Sequence, residues 1–342
     1  MTHKAELLCI GNALIDIFAT VPEHFFAQYA LSQPAQHCDY HTVMHILEAI
    51  PQYTVCSGGG AANVAKIAAH VGIRTAFVGT VGSDKAGSLD TFGTQFSTEL
   101  RAAGVTPFLQ TVSEPTGICV LLKTKTGKSR IVACPSAALK LESVPEELVN
   151  GINLLVLEGF ILDHVHILQP ILTIAEKQGI PIALDGGSPL IVQQYARQLI
   201  NYCRTYPFLL FMNEAEANAW YETVGSDYED MYAFIKSLTK EGGFPIIAVK
   251  LAGRGAKVFA NDCEYHVGTT FLVSKESTGA GDAFCAAFIS AWLQNRSIEK
   301  CTSLANKAAS IVLNVPGTAL GTHEKVQLSK LLSPSFHVFT SA

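Results

Sequence analysis

The sequence contains no long hydrophobic run and no cluster of basic residues. No window approaches the roughly 18 uninterrupted apolar residues of a membrane-spanning helix. The N-terminal apolar run at 7–10 is too short for a signal sequence before Asn12 and Asp16 intervene. A net charge of −5 without a Lys/Arg run argues against nucleic acid as the principal partner. We therefore expect a cytoplasmic protein that binds neither a membrane nor a nucleic acid.

Cysteine pairs at metal-binding spacing are also missing. The nine cysteines include no C-x-x-C pair, and most lie in apolar stretches such as Leu8-Cys9-Ile10. An odd number of cysteines in such surroundings predicts reduced core thiols rather than disulfides or zinc ligands. Apolar residues make up 49% of the chain and charged residues only 15%, which provides for a large core and argues against disorder.

Short apolar runs alternate with helical patterns along most of the chain. This rhythm predicts an α/β fold with a mainly parallel central sheet covered by helices on both faces. We expect strands near 7–11, 75–79, 154–157, 180–184, 208–212 and 246–249, with helices that include 61–71 and 87–103. After Thr278 we expect two helices, the second broken by Pro316. No repeat or flexible linker marks a boundary, so residues 1–342 are interpreted as a single domain.

Two stretches interrupt the rhythm. From about 20 to 50 the chain has no clean period, and from 116 to 135 it alternates around Thr126-Gly127 as an antiparallel hairpin does. Both stretches could form a small β-rich lid over the ligand end of the sheet. We therefore predict a lid built from segments at approximately 20–50 and 109–134.

The segment Gly279-Ala280-Gly281-Asp282 runs directly into a helical pattern. Small residues at a helix start bring backbone N–H groups and the positive helix end to one point, where phosphate oxygens bind. A carboxylate at that point favours a general base, so Asp282 is interpreted as the group that deprotonates an acceptor hydroxyl. The alternative is a glycine-rich turn with an ordinary capping carboxylate.

Two more segments could hold the acceptor. Gly58-Gly59-Gly60 removes side chains where a ligand could lie against the backbone, and Asn63 follows on the first helical turn, where its amide can both donate to and accept from hydroxyls. Asn12 and Asp16 follow the first strand, and carboxylates at strand ends of α/β proteins often bind ligand hydroxyls. The alternative for Asp16 is a residue that merely ends a strand.

Two further segments could hold the nucleotide. Asn213 and Glu216 lie three residues apart at a helix start, where they could hold hydrated Mg²⁺ or form a capping box. The turn that contains Gly253 and Gly255 joins two short strands, and it either borders a nucleotide or is a structural hairpin.

These motifs together resemble those of the ribokinase-like (PfkB-type) sugar and nucleoside kinases. The order and separations of Gly11-Asn12…Asp16, Gly58 to Asn63, Asn213-x-x-Glu216 and Gly279 to Asp282 match that family over almost the whole chain. The N-terminal motif and Ala133-Cys134-Pro135-Ser136-Ala137-Ala138 are most similar to the adenosine kinase branch. The resemblance implies a ribokinase-like three-layer fold with a small β lid, and it implies ATP and Mg²⁺ as ligands.

The resemblance also implies a role for each matched position. Asp282 is the expected base, and the N–H groups around Gly279, Ala280 and Gly281 form the anion hole. The groups expected to hold sugar or ribose hydroxyls are Asn12, Asp16, Gly59 and Asn63. Those expected to order Mg²⁺ through water are Asn213 and Glu216, and those expected to flank the adenine are Gly253, Gly255 and Asn306.

Three segments depart from the family pattern. Glu276-Ser277 replaces the usual Asp-Thr, and the longer carboxylate makes Glu276 a further candidate for the Mg²⁺ site. Ala252 replaces the usual glycine before the nucleotide-side turn. The lid arginine is displaced by one residue to Arg130, and such a slip reverses the facing of a strand residue, so no phosphate role is assigned to it.

We therefore expect an enzyme that transfers the γ-phosphoryl group of MgATP to a primary hydroxyl of a nucleoside such as adenosine. The first alternative is a sugar kinase acting on fructose, ribose or a related carbohydrate. The second is a non-catalytic nucleotide or metabolite sensor on the same fold, which loss of Asp282 or of the neighbouring glycines would favour. The chain is expected to be a monomer or a homodimer paired through its lids.

Overall fold

The computed structural model describes residues 5–239, 244–269, 279–313, 315 and 318–333. The strands in these parts of the chain are β1 (Leu7–Ile10), β2 (Leu14–Thr20), β3 (Ala35–His37), β4 (Thr54–Gly58), β5 (Thr75–Gly82), β6 (Thr106–Val112), β7 (Gly117–Lys123), β8 (Ser129–Cys134), β9 (Leu154–Glu158), β10 (Ile182–Asp185), β11 (Phe208–Asn213), β12 (Ile246–Lys250), β13 (Ala256–Ala260) and β14 (Cys263–Val267).

The helices in the same parts are α1 (His24–Gln28), α2 (Tyr40–Glu48), α3 (Gly60–His70), α4 (Thr91–Ala102), α5 (Glu146–Val149), α6 (Val165–Gln178), α7 (Pro189–Gln194), α8 (Ala196–Thr205), α9 (Glu214–Val224), α10 (Met231–Leu238), α11 (Ala280–Leu293), α12 (Ile298–Val312) and α13 (Thr322–Leu332). No helix among the described residues is long and apolar enough to cross a bilayer.

Among the described residues, the main sheet has nine strands in the order β14-β13-β12-β11-β10-β9-β1-β5-β6. The pairings from β6 through to β12 are parallel, and β13 pairs antiparallel with both β12 and β14. Leu7 and Cys9 of β1 belong to one hydrophobic core, whereas Leu8 and Ile10 belong to the other. Helices thus cover both faces, as predicted for strands that are apolar on both sides.

The strand order reverses beside β1. The chain proceeds from β1 outward to β5 and β6, and then crosses to β9 on the other side of β1. In open parallel sheets, ligands bind at the carboxyl ends of the strands beside such a switch point. A ligand-binding site is therefore expected at the edge of the sheet where β1 and β9 end.

The second sheet, which we call the lid sheet, has five strands in the part of the chain that the structure describes, in the order β3-β8-β7-β2-β4. The expected hairpin is present, since β7 and β8 pair antiparallel. The strands at 14–20 and 54–58 lie mostly outside the first predicted lid segment, 20–50, which holds α1, β3 and α2. Within the second predicted segment, residues 109–112 belong to β6 of the main sheet.

Several boundaries differ from the predictions for local reasons. The helix predicted from residue 87 begins at Thr91, because the Asp90 carboxylate caps it by accepting the Gly93 N–H at 2.6 Å. The described residues after Thr278 form three helices rather than two. Helix α12 ends at Val312, before Pro316, which lies outside the described residues. All nine cysteines are free thiols, and most are buried, although Cys263 is exposed on the edge strand β14.

Candidate active site

Polar side chains converge at the carboxyl edge of the main sheet. Strands that lie next to or near one another end in Glu158, Asp185, Asn213 and Lys250, and Asn12 follows β1. Helices α3 and α11 begin at the same edge, and Gly60, Asp185, Asp282 and Cys285 line one small cavity there. The structure therefore brings several of the predicted residues together, with others that the sequence reasoning missed.

Asp282 lies in the first turn of α11. The helix begins after Gly279, whose φ of 84° lies in the left-handed region that glycine adopts without strain. The first N–H groups of a helix have no acceptor within it, so Ala280 and Gly281 present donors beside the carboxylate. Burial and the charge of Asp185 raise the pKa of Asp282 to about 6, against the lowering effects of an Asn63 hydrogen bond and of Lys250 and Lys66. A carboxylate of this pKa is mostly ionised at neutral pH and still accepts a proton.

Asn63 is held at both ends of its amide. Its Nδ2 donates to Asp282 Oδ2 at 2.7 Å, and its Oδ1 accepts from Thr318 Oγ1 at 2.5 Å. The side chain is buried. The amide therefore orients the carboxylate of Asp282, a contact that sequence spacing alone did not indicate. Its predicted contact with acceptor hydroxyls stays a prediction.

The glycine run lets the backbone lie directly against two predicted binding residues. A Cβ on Gly58 would lie 2.1 to 2.3 Å from the carboxylate atoms of Asp16. Gly59 has a φ of 90°, and its Cβ would lie 2.1 Å from the carbonyl oxygen of Asn12. Larger residues at either position would displace Asp16 or Asn12, so the glycines are required by close approach as well as by backbone conformation.

Asp16 lies on β2 of the lid sheet, where it pairs in register with Cys56 and Cys119. Burial raises its pKa to about 7; Lys66 opposes this and Asp282 adds to it. The Lys66 ammonium, itself buried, donates to the Ser57 carbonyl oxygen at 2.6 Å and to Ser57 Oγ at 3.0 Å. Lys66 thus places a positive charge close enough to act on the carboxylates of Asp16 and Asp282. Its position one helical turn after Asn63 is the sequence signal that could have identified it.

Glu158 is a site residue that the sequence analysis missed. It ends β9 at the switch point, where its oxygens accept the Asn12 N–H at 3.0 Å and the Gly60 N–H at 3.4 Å. Burial raises its pKa to about 7 although both N–H groups stabilise the ionised form. The signal was present in the sequence, since Glu158 follows the apolar run 154–157 as a strand-end carboxylate.

A second missed group consists of Asp185, Lys250 and Cys285. Lys250 Nζ lies 2.6 Å from Asp185 Oδ2 and 3.8 Å from Cys285 Sγ, and the thiol lies 3.3 Å from the same carboxylate oxygen. Burial opposes ionisation of Asp185, but the Lys250 ammonium holds the pKa of that carboxyl below its usual value. The pair is therefore ionised. Asp185 and Lys250 each end a strand, and this position is the sequence pattern that could have identified them.

Asn213 and Glu216 form the capping box that was the alternative to a metal site. Glu216 accepts from Asn213 N at 2.8 Å and from Nδ2 at 2.7 Å, and Asn213 Oδ1 accepts from Glu216 N at 2.9 Å. Burial raises the pKa of Glu216 to about 7, and Asp185 adds to this effect.

The described residues contain no group of three or more His, Cys, Asp or Glu side chains suited to holding a metal. Each Glu216 oxygen keeps lone-pair capacity beyond its one hydrogen bond. This donor set fits a hydrated Mg²⁺ bound chiefly by phosphates, and it does not form an all-protein cage.

Two of the three predicted nucleotide-side residues, Gly255 and Asn306, meet at one carbonyl group. A Cβ on Gly255, whose φ is 89°, would lie 2.1 Å from the Val267 oxygen, and Asn306 Nδ2 donates to that oxygen at 2.8 Å. An added Cβ on Gly253 would meet no atom within 4 Å among the described residues, so this turn is open. Contact of these groups with adenine stays a prediction.

Of the departures from the family pattern at Glu276-Ser277 and at Arg130, only the one at Arg130 lies among the described residues. Glu276 and Ser277 lie outside the described residues. Arg130 pairs in register with the buried Leu122, donates to the Leu31 carbonyl oxygen at 2.8 Å and lies over the Phe26 ring at 5.0 Å. Arg130 therefore ties the lid strand β8 to the N-terminal part of the chain.

Known proteins resemble this chain in both sequence and fold. Adenosine kinase from Schizophyllum commune is 25% identical over 343 residues, covering 91% of this chain and 96% of that protein. Ribokinase from Arabidopsis thaliana is 27% identical over 291 residues, covering 81% and 72% respectively. The crystal structure of adenosine kinase from Sinorhizobium meliloti superimposes with a TM-score of 0.82 at 25% identity, covering 96% of this chain and 99% of that one.

These similarities confirm the predicted family resemblance and the ribokinase-like α/β fold. A family model described as pfkB family carbohydrate kinase matches residues 4–325, nearly the whole chain. The chain therefore belongs to the pfkB family of carbohydrate kinases, and it is a phosphotransferase with an alcohol group as acceptor.

Proposed function

We propose that this protein transfers the γ-phosphoryl group of MgATP to a primary hydroxyl of a nucleoside similar to adenosine. The observation that carries the proposal is the carboxylate of Asp282 in the first turn of α11, oriented by Asn63 at 2.7 Å and with a pKa raised to about 6 by burial. A base in an anion-binding helix turn is the combination that phosphoryl transfer to a hydroxyl requires. We also propose that the whole chain forms one kinase domain.

In the proposed reaction the acceptor oxygen attacks the γ-phosphorus while its proton passes to Asp282. The new bond joins that oxygen to phosphorus, the bond between the γ-phosphorus and the β,γ-bridging oxygen breaks, and ADP leaves with the electron pair. The N–H groups of Ala280 and Gly281 would bind the phosphoryl oxygens. When bound, Mg²⁺ would neutralise phosphate charge, and Glu216 with Asn213 is the pair that would hold its water shell.

The acceptor would lie between the carboxyl edge of the main sheet and the lid sheet. Asp16 and Asn12 would bind its hydroxyls, with Gly59 and Asn63 beside them. A half-exposed apolar surface on the Asp16 face of the lid sheet supports a nucleoside, because a base needs an apolar partner. This surface is formed by Phe18, Leu121 and Ile131, which lie in register on three neighbouring strands. Leu14, two residues before Asp16, extends it.

Glu158 supports the second candidate, a free sugar. Its buried carboxylate lies at the switch point and adds a hydrogen-bond acceptor to those of Asp16 and Asp282. A free sugar presents more hydroxyl donors than the ribose of a nucleoside, so a third carboxylate suits it. ATP and Mg²⁺ are the same in both candidates.

The test is ATP consumption measured over a panel of nucleosides and sugars with Mg²⁺ present. The expected result is fastest turnover with a purine nucleoside, no turnover without acceptor, and loss of the signal in Asp282→Asn. Turnover with a hexose or pentose alone would replace the nucleoside by the sugar. No turnover with any acceptor, in a protein that binds ATP, would favour the sensor alternative.

The same surface bears on oligomeric state, for which we propose a monomer or a lid-paired homodimer. If the apolar patch binds the acceptor, Ile131→Lys weakens acceptor binding and leaves the sedimentation of the protein unchanged. If the patch instead contacts a second copy, sedimentation of the wild-type protein gives a dimer, and the same substitution gives a monomer.

A further inference from the structure

The Lys250 ammonium lies against the start of α11, at the point where the anion-binding N–H groups meet. Its Nζ is 3.4 Å from the position that a Cβ on Gly281 would occupy. Because residue 281 is glycine, no side chain covers the ammonium on that side. Lys250 ends β12 and Asp282 follows Gly281, so a cation and the base flank the same helix turn.

The polar partners of Lys250 leave it able to bind a ligand. Within the described residues, its ammonium contacts Asp185 Oδ2 at 2.6 Å and Cys285 Sγ more weakly at 3.8 Å. An ammonium has three donors, so one is left. The side chain is 16% exposed, which keeps that donor accessible to a ligand in the cleft.

The negative charge of the carboxylates at this edge of the main sheet favours a cation beside a bound nucleotide. Lys250 lies close enough to Asp185, Glu216 and Asp282 to interact with the charge of each carboxylate. A triphosphate entering beside these carboxylates would be repelled by them. The nearby Lys66 is buried and its ammonium is engaged by Ser57, so Lys250 is the better placed of the two to face a phosphate.

We infer that Lys250 contacts the γ-phosphoryl group of the nucleotide and stabilises it during transfer, with Asp185 as the positioning residue that fixes the ammonium. The inference rests on the proposed function. Lys250 stays protonated throughout: the proton of the acceptor goes to Asp282, and ADP leaves with the electrons of the broken bond. The alternative is a structural ion pair that joins the ends of β10 and β12 across β11.

The experiment compares Lys250→Met with the wild-type protein in binding and in turnover. Calorimetry with Mg²⁺ and either ADP or a non-hydrolysable ATP analogue isolates the γ-phosphoryl contact. We expect Lys250→Met to lose about tenfold or more in affinity for the analogue and to keep its affinity for ADP, since a hydrogen bond to a charged group contributes roughly 1.5–3 kcal/mol. The kcat should fall about 10²-fold, the usual effect of removing one charge-stabilising donor. Lys250→Arg should recover part of both.

Lys257→Met is the matched control. Lys257 lies on the adjoining strand β13 at 20% exposure, where its ammonium pairs with Glu264 at 2.7 Å and lies over the Tyr232 ring. This variant should keep both affinities and kcat. Because Lys250→Met leaves Asp185 unpaired, the double variant Asp185→Asn/Lys250→Met removes both charges and should show the same selective loss if it folds.

The two hypotheses fail in different ways. Equal affinities of the wild-type and Lys250→Met proteins for the ATP analogue would overturn the role of Lys250, as would equal losses for the analogue and for ADP, which indicate a structural pair. If the wild-type protein consumes no ATP with any acceptor and binds no analogue, the proposed kinase function itself fails.

Discussion

Asn63 Nδ2 donates to Asp282 Oδ2 at 2.7 Å and so joins two residues that are 219 positions apart in the sequence. One follows the glycine run at the start of α3, and the other lies in the first turn of α11. The contact couples the position of the proposed base to the segment that is expected to hold the acceptor. Because the hydrogen bond stabilises the ionised carboxylate, it also controls the pH at which the base works.

Asn63→Ala should therefore move the acidic limb of the pH–rate profile to higher pH. Burial raises the pKa of Asp282, and the Asn63 hydrogen bond opposes that rise, so its loss increases the pKa further. The rate should fall more at pH 6 than at pH 8. Thr318→Val, which releases the amide of Asn63 without removing it, should give a smaller shift in the same direction. An unchanged limb in both variants would contradict this coupling.

Asp282→Asn should reduce kcat by about 10² to 10⁴-fold, the usual cost of losing a general base. The amide is nearly isosteric, so the affinities for ATP and for the acceptor should change by only a few-fold. Steady-state kinetics with binding measured by calorimetry separates the two effects. A kcat within about threefold of wild type would remove Asp282 from the chemical step.

Asp16→Ala should weaken acceptor binding by roughly 1.5–3 kcal/mol, the range for a hydrogen bond to a charged group, and leave ATP affinity unchanged. The reason is position: Asp16 lies on the lid sheet in register with Cys56 and Cys119, whereas the proposed nucleotide groups lie at α11 and at the turn after β12. Titration with each ligand separately provides the measurement. An equal loss of ATP affinity would show that Asp16 is structural.

Gly58→Ala should weaken acceptor binding about as much as Asp16→Ala does, even though it adds a single methyl group. That methyl would lie within 2.1 to 2.3 Å of the Asp16 carboxylate, so the carboxylate must shift. Gly268→Ala is the control, since its Cβ would meet no atom within 4 Å among the described residues. Both variants are assayed for acceptor titration and melting temperature. Wild-type affinity in Gly58→Ala would mean that Asp16 does not contact the acceptor.

The ligand-free protein should lose stability as pH rises from about 4.5 to about 7. Burial raises the pKa of Asp282 to about 6 and that of Asp16, Glu158 and Glu216 to about 7, from ordinary values of 3.8 for Asp and 4.5 for Glu. A raised carboxyl pKa means that the folded state holds its proton more tightly than the unfolded state. The free energy of unfolding therefore falls with pH in this window, by at most about 1.4 kcal/mol per pH unit for each proton.

Denaturant unfolding at several pH values between 5 and 8 measures that slope. Glu158→Gln removes one of the four groups and should make the slope shallower. A free energy of unfolding that increases through the window would contradict the raised pKa values.

Much of the fold could be predicted from period and order. The apolar runs that became β1, β9, β11 and β12 were located to within a residue or two, because strands buried on both faces have continuous apolar sequences. The lid sheet was harder to delimit. Its strand β2 follows β1 after only three residues, so Asp16 was interpreted as ending the first strand when it lies inside the second.

The sequence marks candidate site residues that belong to a motif and misses those that only the strand order brings together; the roles of the marked residues stay predictions. Gly279, Gly281 and Asp282 share a local pattern, which is readable in one segment. Glu158, Asp185 and Lys250 each end a different strand, and a strand-end charge is visible in the sequence without showing which strand ends lie together. The strand order brings these ends to one edge, and that order depends on long-range pairing that spacing does not reveal.

The contact from Thr318 to Asn63 spans 255 positions, which has a consequence for how the protein is made. The last strand of the main sheet among the described residues ends at Val267, and Asp282 and Thr318 are translated after it. Contacts of such sequence separation form late, because their loop-closure entropy must be overcome before they stabilise anything. A ribosome-bound chain that ends before Thr318 can fold its sheet and still lack the contact that orders Asn63 and Asp282. Competence for catalysis should therefore appear only after Thr318 has been synthesised and has formed its contact with Asn63.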